Sequence, residues 1–364
     1  MKIIQSKNIL ALLTSAVALS FTACSPSGGD PADGSAQVMR AFPSTAEVAM
    51  YFDQKAFSES SFSEAVQEMQ DELPENEQTQ EFADQLKEAT GLEDDDITDF
   101  ALAMSGLENV QTDPSLLKIS GAVFATEPVT TDQVVAAAEL IAEQNGQSVE
   151  LTVTPGEGAD FIAFPKEPGA PEIHAAVVTG DASTVVFFGD LESVEASLAR
   201  ESGSVPAALE AASAGLIEGQ QGWISVVLPE SMRAQLAGTT AQMEQMMPGL
   251  SKANSLQSVG IAMKTADSLD MAVGFNLGSE ADAAAIESLL NNRVISFAKL
   301  MLGGNTPEPL PLLNSLSASH SGDRAVLSLV LTLKDIELLQ SQFMGMLSTP
   351  GAIPGTGVTP AAPQ

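Results

Sequence analysis

Residues 257–277, "QSVGIAMKTADSLDMAVGFNL", decide the fold class. In the second half of this stretch, large apolar residues occupy every second position: Leu269, Met271, Val273, Phe275 and Leu277. A period of two is typical of a β-strand with one buried face, and the "TADS" segment predicts a short turn. The stretch therefore predicts an antiparallel hairpin of strands 257–264 and 269–277, with one face that helices must cover.

Three other segments have apolar residues at helical spacing and are candidates to cover that face: 131–144, 191–200 and 280–302. Hydroxyl or carboxylate side chains precede the predicted helices and are expected to cap their first turns: Thr130 (with Gln133), Ser279 (with Asp282), Asp190 and Thr332. Strands covered by helices in this way predict an α+β protein.

The chain contains three pairs of similar segments in the same order. They are 97–105 with 256–264, 123–141 with 273–290, and 180–198 with 322–340. Strands 47–54 and 223–230 would open the two copies. Ordered matches of this kind indicate duplication of one ancestral unit. The predicted fold class is thus α+β, with two related copies of an antiparallel sheet backed by helices.

Composition divides the chain into six parts. These are a signal peptide at 1–23, a lipid anchor and flexible tether at 24–44, a first α+β repeat at 45–200, a linking helix at 201–221, a second repeat at 222–346, and a disordered tail at 347–364. The tether is assigned because residues 25–37 are Gly, Pro, Ser, Ala, Asp and Gln, which bury little apolar surface. The tail is assigned because Pro and Gly occur throughout it.

The first 24 residues have the layout of a secretory signal. Lys2 and Lys7 precede an almost wholly apolar run at 9–19, and small residues follow. A membrane-spanning helix needs ~20 apolar residues, and this run is shorter.

The end of that signal, Phe21-Thr22-Ala23-Cys24, resembles the lipobox of bacterial lipoproteins. The resemblance covers residues 1–24 only, and Phe21 replaces the usual aliphatic residue. It implies cleavage before Cys24, a diacylglyceryl thioether on the thiol, and acylation of the new amino terminus, palmitate being the typical acyl group. The alternative is an ordinary signal peptide in which the cysteine is incidental.

The same resemblance implies a location. Ser25 stands where an aspartate would imply retention at the inner membrane, so we expect a lipid-anchored protein of the cell envelope, at the outer membrane and facing the periplasm. The remainder of the chain resembles uncharacterised secreted bacterial proteins with a duplicated α+β domain, without matching a named family.

The charge balance excludes one class of partner. Lys and Arg total 15 and Asp and Glu total 48, which gives a formal net charge of −33. Nucleic-acid binding is excluded because it needs basic side chains to neutralise phosphates. The same charge argues against a flat arrangement of the whole protein on an anionic leaflet. Since Cys24 is the only cysteine, no disulfide can form within the chain.

An acidic cluster at 93–99 is the one candidate metal site, with Glu93, Asp94 and Asp96 as its weak candidate ligands. Carboxylates at such spacing suit Ca²⁺, but the glycine and glutamate of an EF-hand loop are missing. The alternative is a helix that ends at Gly91 and is followed by a solvated acidic turn.

The sequence contains no recognisable catalytic motif and implies no cofactor. It has two histidines, and it lacks a Gly-x-Ser-x-Gly elbow, a P-loop and a His-Glu-x-x-His segment. Clustered methionines, among them Met232, Met243, Met246 and Met247, indicate core packing first, an apolar groove second and a Cu(I) site third.

These observations favour a non-enzymatic binding or scaffold module in the envelope, with an apolar ligand or a protein as its partner. Two alternatives remain open. A periplasmic hydrolase would need two facing carboxylates with perturbed pKa values, and a lipid or lipoprotein carrier would need a deep apolar cavity.

Overall fold

The computed structural model describes residues 34–339, except 72–76, 94–95, 110–112, 114–115, 145–148, 166–171, 246 and 304–311. The described residues form a 12-stranded antiparallel sheet with helices on both faces, which confirms the predicted α+β class. The predicted signal peptide, Cys24, Asp94 and the predicted tail at 347–364 lie outside the described residues.

The strands follow one another along the chain as β1 Val48–Asp53, β2 Ile97–Ser105, β3 Lys118–Ala125, β4 Thr152–Pro155, β5 Asp160–Ala163, β6 His174–Thr179, β7 Thr184–Gly189, β8 Gly222–Val227, β9 Ser258–Thr265, β10 Leu269–Asn276, β11 Ser317–Ser321 and β12 Arg324–Leu331.

The α-helices are α1 Gly34–Val38, α2 Gln54–Ser58, α3 Ser61–Asp71, α4 Glu77–Thr90, α5 Thr131–Gln144, α6 Leu191–Ala199, α7 Ala207–Ser213, α8 Glu230–Met243, α9 Glu280–Leu289, α10 Ser296–Gly303, α11 Leu312–Ser315 and α12 at 333–339. A π-helical turn, Leu290–Ile295, joins α9 to α10, and short 3-10 turns lie at Met39–Ala41, Leu107–Asn109 and Leu250–Ser255.

One strand pair joins the two predicted repeats into a single sheet. The strand order is β11-β12-β10-β9-β8-β1-β2-β3-β7-β6-β5-β4, so β8 and β1 are neighbours at the centre. The strand orders on the two sides of this pair correspond. Outward from the centre, one side has β8-β9-β10-β12-β11, and the other has β1-β2-β3-β7-β6 followed by β5 and β4. The described sheet is therefore symmetric in strand order, while a common origin of its halves stays a prediction.

The hairpin predicted from residues 257–277 is present. In β9 and β10, Thr265 lies opposite Leu269 and Ser258 lies opposite Asn276. The predicted helix caps are also confirmed: backbone N–H groups of the first turns donate to the side chains of Thr130, Asp190, Ser279 and Thr332. The capping side chains thus determine where the helices that follow the strands begin.

One face of the sheet has small residues at many positions, among larger ones such as Tyr51 and Trp223, and we call it the alanine face. It carries Ala49, Ala101, Ala103, Ala122, Ala176, Ala262 and Ala272, all of them buried. Helices α1, α6 and α7 cover it, together with Phe42, Val194 and Leu209 of the main core. Gly260 lies directly under Ala212 of α7, and Gly274 lies directly under Leu216, which follows that helix. A β-carbon at either glycine would overlap the residue above it.

This arrangement corrects the predicted burial of the hairpin. Of the five residues predicted on the buried face, Leu277 is buried against α9, but Leu269, Met271, Val273 and Phe275 are only half-buried. Ala272 and Gly274 of the opposite face are buried. Helices pack on both faces: α6 covers the alanine face, while α5 and α9 cover parts of the other. The reason is that small side chains let a helix approach the sheet closely, while large ones hold it away.

The predicted tether at 24–44 is too long. Residues 34–38 form α1, and Val38, Ala41 and Phe42 are buried in the main core. A β-carbon at Gly34 would overlap Asp99 and Phe124, so the start of α1 lies against the beginning of β2 and the end of β3. We call this end of the strands the tether end, and it also carries the end of β9 and the start of β10.

Candidate apolar binding face

The centre of the other sheet face is a continuous row of aliphatic side chains. Leu102, Met50, Ile224, Ile261, Val273 and Leu327 lie opposite one another in sequence across β2, β1, β8, β9, β10 and β12. We call these six residues the aliphatic row. Five strand spacings of ~4.8 Å make the row ~24 Å long. Met50 and Ile224 lie in the pair of strands that joins the two halves, and the middle residues of the row are Ile224 and Ile261.

The rows on either side are equally free of polar side chains. They consist of Met104, Val48, Val226, Val259, Phe275 and Ala325 on one side, and of Phe100, Phe52, Gly222, Met263, Met271 and Leu329 on the other. Across six strands, therefore, no polar or charged side chain occupies these three rows. In a chain of net charge −33, that is a marked segregation of residue types.

The aliphatic row is only partly covered. All six of its residues are half-buried, whereas the residues at the same level on the alanine face, Ala49, Ala103, Ser225, Gly260 and Gly274, are buried. Exposed apolar surface costs ~25 cal/mol per Å², and large contiguous apolar patches usually mark binding sites. The aliphatic row is accordingly the candidate functional site.

Helices border the aliphatic row at both ends. Beyond β3, Ile162, Ala175 and Val177 of the sheet pack against Val134 and Val135 of α5. Beyond β10, a second cluster places α9 on β11 and β12, with Ile286, Leu290 and Ala325 buried. Phe57 of α2 lies over Phe52, with ring centroids 5.2 Å apart. The row thus lies on the sheet between helices α5 and α9.

The methionines that line this face are not the clustered ones. Met50, Met104, Met263 and Met271 lie on its strands and are half-buried. Met243 and Met232 of α8, expected in the core, are exposed instead, and Met246 lies outside the described residues. Helical spacing did not predict burial here because α8 buries only Thr240.

Two carboxylates face each other at the tether end on the alanine face. Asp53 and Asp99 are directly opposite in the β1–β2 pair. The Tyr51 hydroxyl donates to Asp99 Oδ1 at 2.7 Å, and the Thr98 hydroxyl donates to Oδ2 at 2.9 Å. Asp53 Oδ1 accepts the Ala56 N–H at 2.8 Å and caps α2. Burial raises the pKa of Asp53, and the charges of Asp99 and Glu59 add to the rise.

This pair does not have the arrangement expected of a hydrolytic site. Asp53 serves as a helix cap, and Asp99 is buried beneath Gly34 with both carboxylate oxygens hydrogen-bonded. A catalytic carboxylate must reach the reacting atoms, and α1 occupies that space. The other fully buried acid, Asp335, accepts the N–H groups of Leu312 and Thr332 and is likewise structural.

The acidic turn after α4 has a structural role in the part that is described. The helix ends at Thr90 and Gly91 follows with φ 69°, as predicted for a glycine cap. Asp96 Oδ2 accepts the Glu93 N–H at 2.7 Å, and Lys87 lies 2.5 Å from Glu93 Oε2. Within the described ranges, no group of three or more His, Cys, Asp and Glu side chains is placed to hold a metal ion.

The two histidines are each paired with a glutamate. His174 Nε2 lies 3.2 Å from Glu172 Oε1, and His320 Nδ1 lies 2.5 Å from Glu287 Oε2. The first is on β6 and the second on β11, at opposite sides of the sheet, so the structure does not bring them together.

The aliphatic row was only partly visible in the sequence. The alternation in 269–277 correctly placed its large residues on one face. The sequence did not show that helices cover this face less completely than the other, because that depends on where each helix packs on the sheet. Searched over the part of the chain that the structure describes, no helix is long and apolar enough to cross a membrane.

Comparisons with known proteins give little for this chain. No protein-family model and no curated protein matches it. A solved structure, "Structure of crystal form I of TP0453", matches over 85% of this chain and 98% of that one, with 11% identity and a TM-score of 0.39.

Proposed function

We propose that this protein is a lipid-anchored lipoprotein of the bacterial envelope whose folded part binds an apolar ligand or an apolar segment of a protein at the aliphatic row. It acts without catalysis, as a binding or scaffold module. The observation that supports the proposal is the uncharged, half-buried apolar surface across six strands.

The residue types of this surface suit such a ligand. A site without hydrogen-bonding side chains cannot orient a polar ligand, whereas burial of apolar surface supplies affinity at ~25 cal/mol per Å². Methionine side chains are flexible and polarizable, so Met50 in the row and Met263 and Met271 in the neighbouring row suit ligands of varied shape. A lipid chain or the apolar face of a partner helix would meet these requirements.

The proposed anchor at Cys24 would hold this binding module at the membrane. One acyl chain binds a bilayer only marginally, and two or more chains on one residue hold firmly. By the lipobox resemblance, we place the protein at the outer membrane, facing the periplasm.

The anchor is tested by metabolic labelling with a palmitate analogue, followed by membrane fractionation. The parent chain should carry the label and sediment with membranes. Cys24→Ala should lose the label and remain in the periplasmic fraction. Equal labelling of both proteins would show that Cys24 is not the attachment point.

Binding is tested by photo-crosslinking. A benzophenone side chain replaces Met50 of the aliphatic row, and in a control protein it replaces Val153 on the peripheral strand β4. Cells are irradiated, the protein is purified, and the adducts are identified by mass spectrometry. We expect a defined lipid or protein adduct at position 50 that is much weaker at position 153. The nature of the adduct separates a lipid from a protein partner.

A substitution complements the crosslinking. Ile224→Gln places an amide in the aliphatic row opposite Met50 and should reduce the adduct severalfold, while Val153→Gln should not change it. Circular dichroism and the emission of Trp223, the only tryptophan, check that both variants are folded. An unchanged adduct in folded Ile224→Gln would contradict binding at the aliphatic row.

A further inference from the structure

Helix α10 presents large apolar side chains to solvent. Phe297 is 62% exposed and Leu300 is 70% exposed. Val294, in the π-helical turn that leads into α10 and three residues before Phe297, is 39% exposed. Residues at three-residue intervals lie on the same side of a helix, so the three form one stripe. The inward side of the same segment is occupied by Ile295, which is buried.

This stripe lies at the tether end of the sheet. Helix α9 starts after the opposite end of β10 and runs back along β11, with Asn291 Nδ2 donating to the Ala318 carbonyl at 3.0 Å. Helix α10 continues in that direction and packs against α11. Ser315 of α11 donates to the carbonyl of Val330, one residue before the end of β12. Helix α10 therefore reaches the same end of the strands as Gly34, where the described chain begins.

The charge of this segment is opposite to that of the whole chain. Residues 288–303 contain Arg293 and Lys299 and no acidic residue, in a chain with 48 acidic and 15 basic residues. Both basic side chains are exposed. An amphipathic helix with basic residues beside an exposed apolar stripe is typical of helices that lie in a membrane interface.

The distance to the proposed anchor is short. Nine residues separate Cys24 from Gly34, and these ten steps along the chain span at most ~36 Å. A lipid on Cys24 would therefore hold the tether end, and α10 with it, close to the bilayer. Acidic side chains lie at this end too, among them Glu93 and Asp96 before β2 and Asp267 between β9 and β10, so the apolar stripe and not the net charge favours the contact.

We propose that α10 is a second membrane contact: its stripe of Val294, Phe297 and Leu300 inserts into the interface of the bilayer to which Cys24 is attached. The proposal rests on the lipoprotein anchor proposed above. Its consequence is a fixed orientation, with the tether end against the bilayer and the loop between β2 and β3 directed away from it.

The test uses the full lipidated chain with one added thiol. If Cys24 carries lipid, a cysteine at Phe297→Cys is the only free thiol and can be labelled with an environment-sensitive nitrobenzoxadiazole dye. The matched control is Leu116→Cys, an exposed leucine (51%) at the opposite end of the strands. Both proteins are reconstituted into phosphatidylethanolamine–phosphatidylglycerol vesicles, with and without doxyl-labelled lipid.

The expected result is a blue shift and a severalfold rise in emission at position 297, quenched by doxyl lipid, with neither effect at position 116. Mass spectrometry of the amino-terminal peptide reports the anchor independently. Lipid on Cys24 with a water-like, unquenched label at 297 overturns the α10 contact and leaves the anchor standing. Unmodified Cys24 overturns the anchor. Phe297→Cys is then labelled in a Cys24→Ala background, where it is again the only thiol, and doxyl quenching on added vesicles decides the helix contact alone. The blue shift at position 297 could instead occur without vesicles and grow with protein concentration. That result would show that a second copy of the protein covers the stripe, and it would also overturn the proposal.

Discussion

Gly260 of β9 lies directly beneath the carbonyl oxygen of Ala212, near the end of α7, with no room between them for a β-carbon. This contact brings the linking helix down onto the alanine face where the second half of the sheet begins. It also explains why this part of the alanine face is buried more deeply than the opposite face.

Substitution of this glycine should therefore be costly. Gly260→Ala forces a methyl group against backbone atoms that cannot rotate away, and we expect a loss of about 1–3 kcal/mol in the free energy of unfolding. Gly238→Ala in α8 is the matched control, because nothing lies within 4 Å of the added carbon. That change should stabilise the protein by roughly 0.5–1 kcal/mol through helix propensity. Urea unfolding of both variants measures the difference, and equal effects would contradict the close approach of α7.

Two buried serines on the alanine face should respond oppositely to the same change. Ser120 Oγ donates to the Ala41 carbonyl at 2.8 Å, whereas Ser225 Oγ has no hydrogen-bond partner among the described residues. Ser120→Ala leaves a buried carbonyl unsatisfied and should cost about 1 kcal/mol. Ser225→Ala removes an unpaired hydroxyl and should be neutral or stabilising. A comparable loss in both variants, measured by thermal unfolding, would show that Ser225 has a partner after all.

The carboxylate pair at the tether end should give a pH-dependent stability. Because burial, and after it the charge of Asp99, raises the pKa of Asp53 above 3.8, the folded state holds that proton more tightly than the unfolded state. The stability contributed by the protonated group is present below the unfolded pKa and is lost as the pH rises through the folded pKa.

Asp53→Asn should therefore be more stable than the parent at pH 7, since asparagine caps α2 as well as aspartate does. The advantage should shrink as the pH falls toward 3.8. Denaturant unfolding at several pH values gives this difference. Asp190→Asn is the control, because the charge of Asp190 interacts favourably with Lys118, so its removal should bring no gain at pH 7. A pH-independent difference for Asp53→Asn would exclude the effect.

The sequence predicted features that depend on neighbouring residues. The pairing of β9 with β10, the caps at Thr130 and Ser279 and the glycine end of α4 each rest on a few adjacent side chains, and all are present. The junction of β1 with β8 was not predicted, because residues 48 and 226 are far apart in the chain and their strands carry no signal that names a partner.

The sequence predicted the kind of candidate site, an apolar surface, but not its position on the sheet. Alternation in β10 showed that Met271, Val273 and Phe275 share a face, but a period of two does not say which face receives helices. The size of the side chains decides which face the helix covers. Alanine and glycine allow a helix to approach the sheet closely, and α7 packs on that face. The exposure of Phe297 could not be read from its spacing, since an inward and an outward stripe look alike in sequence.

Composition also misplaced the start of the folded region, and the last prediction concerns that segment. Phe42 belongs to the segment predicted as tether, yet it is buried and its ring lies 6.0 Å from that of Trp223, edge to face. Phe42→Ala removes a buried aromatic ring from the main core and should cost about 3–5 kcal/mol. Since Trp223 is the only tryptophan, its emission should shift to the red as water reaches the vacated space.

Phe297→Ala is the matched control for that change, because the same atoms are removed from a side chain that is 62% exposed. In detergent-free solution without vesicles it should change the free energy of unfolding by less than ~0.5 kcal/mol and leave the Trp223 emission unchanged. If Phe42→Ala behaved like this control, residues 34–44 would be tether as their composition suggests. The proposed anchor would then be separated from β1 by more than twenty residues, and the short reach that places α10 at the membrane would be lost.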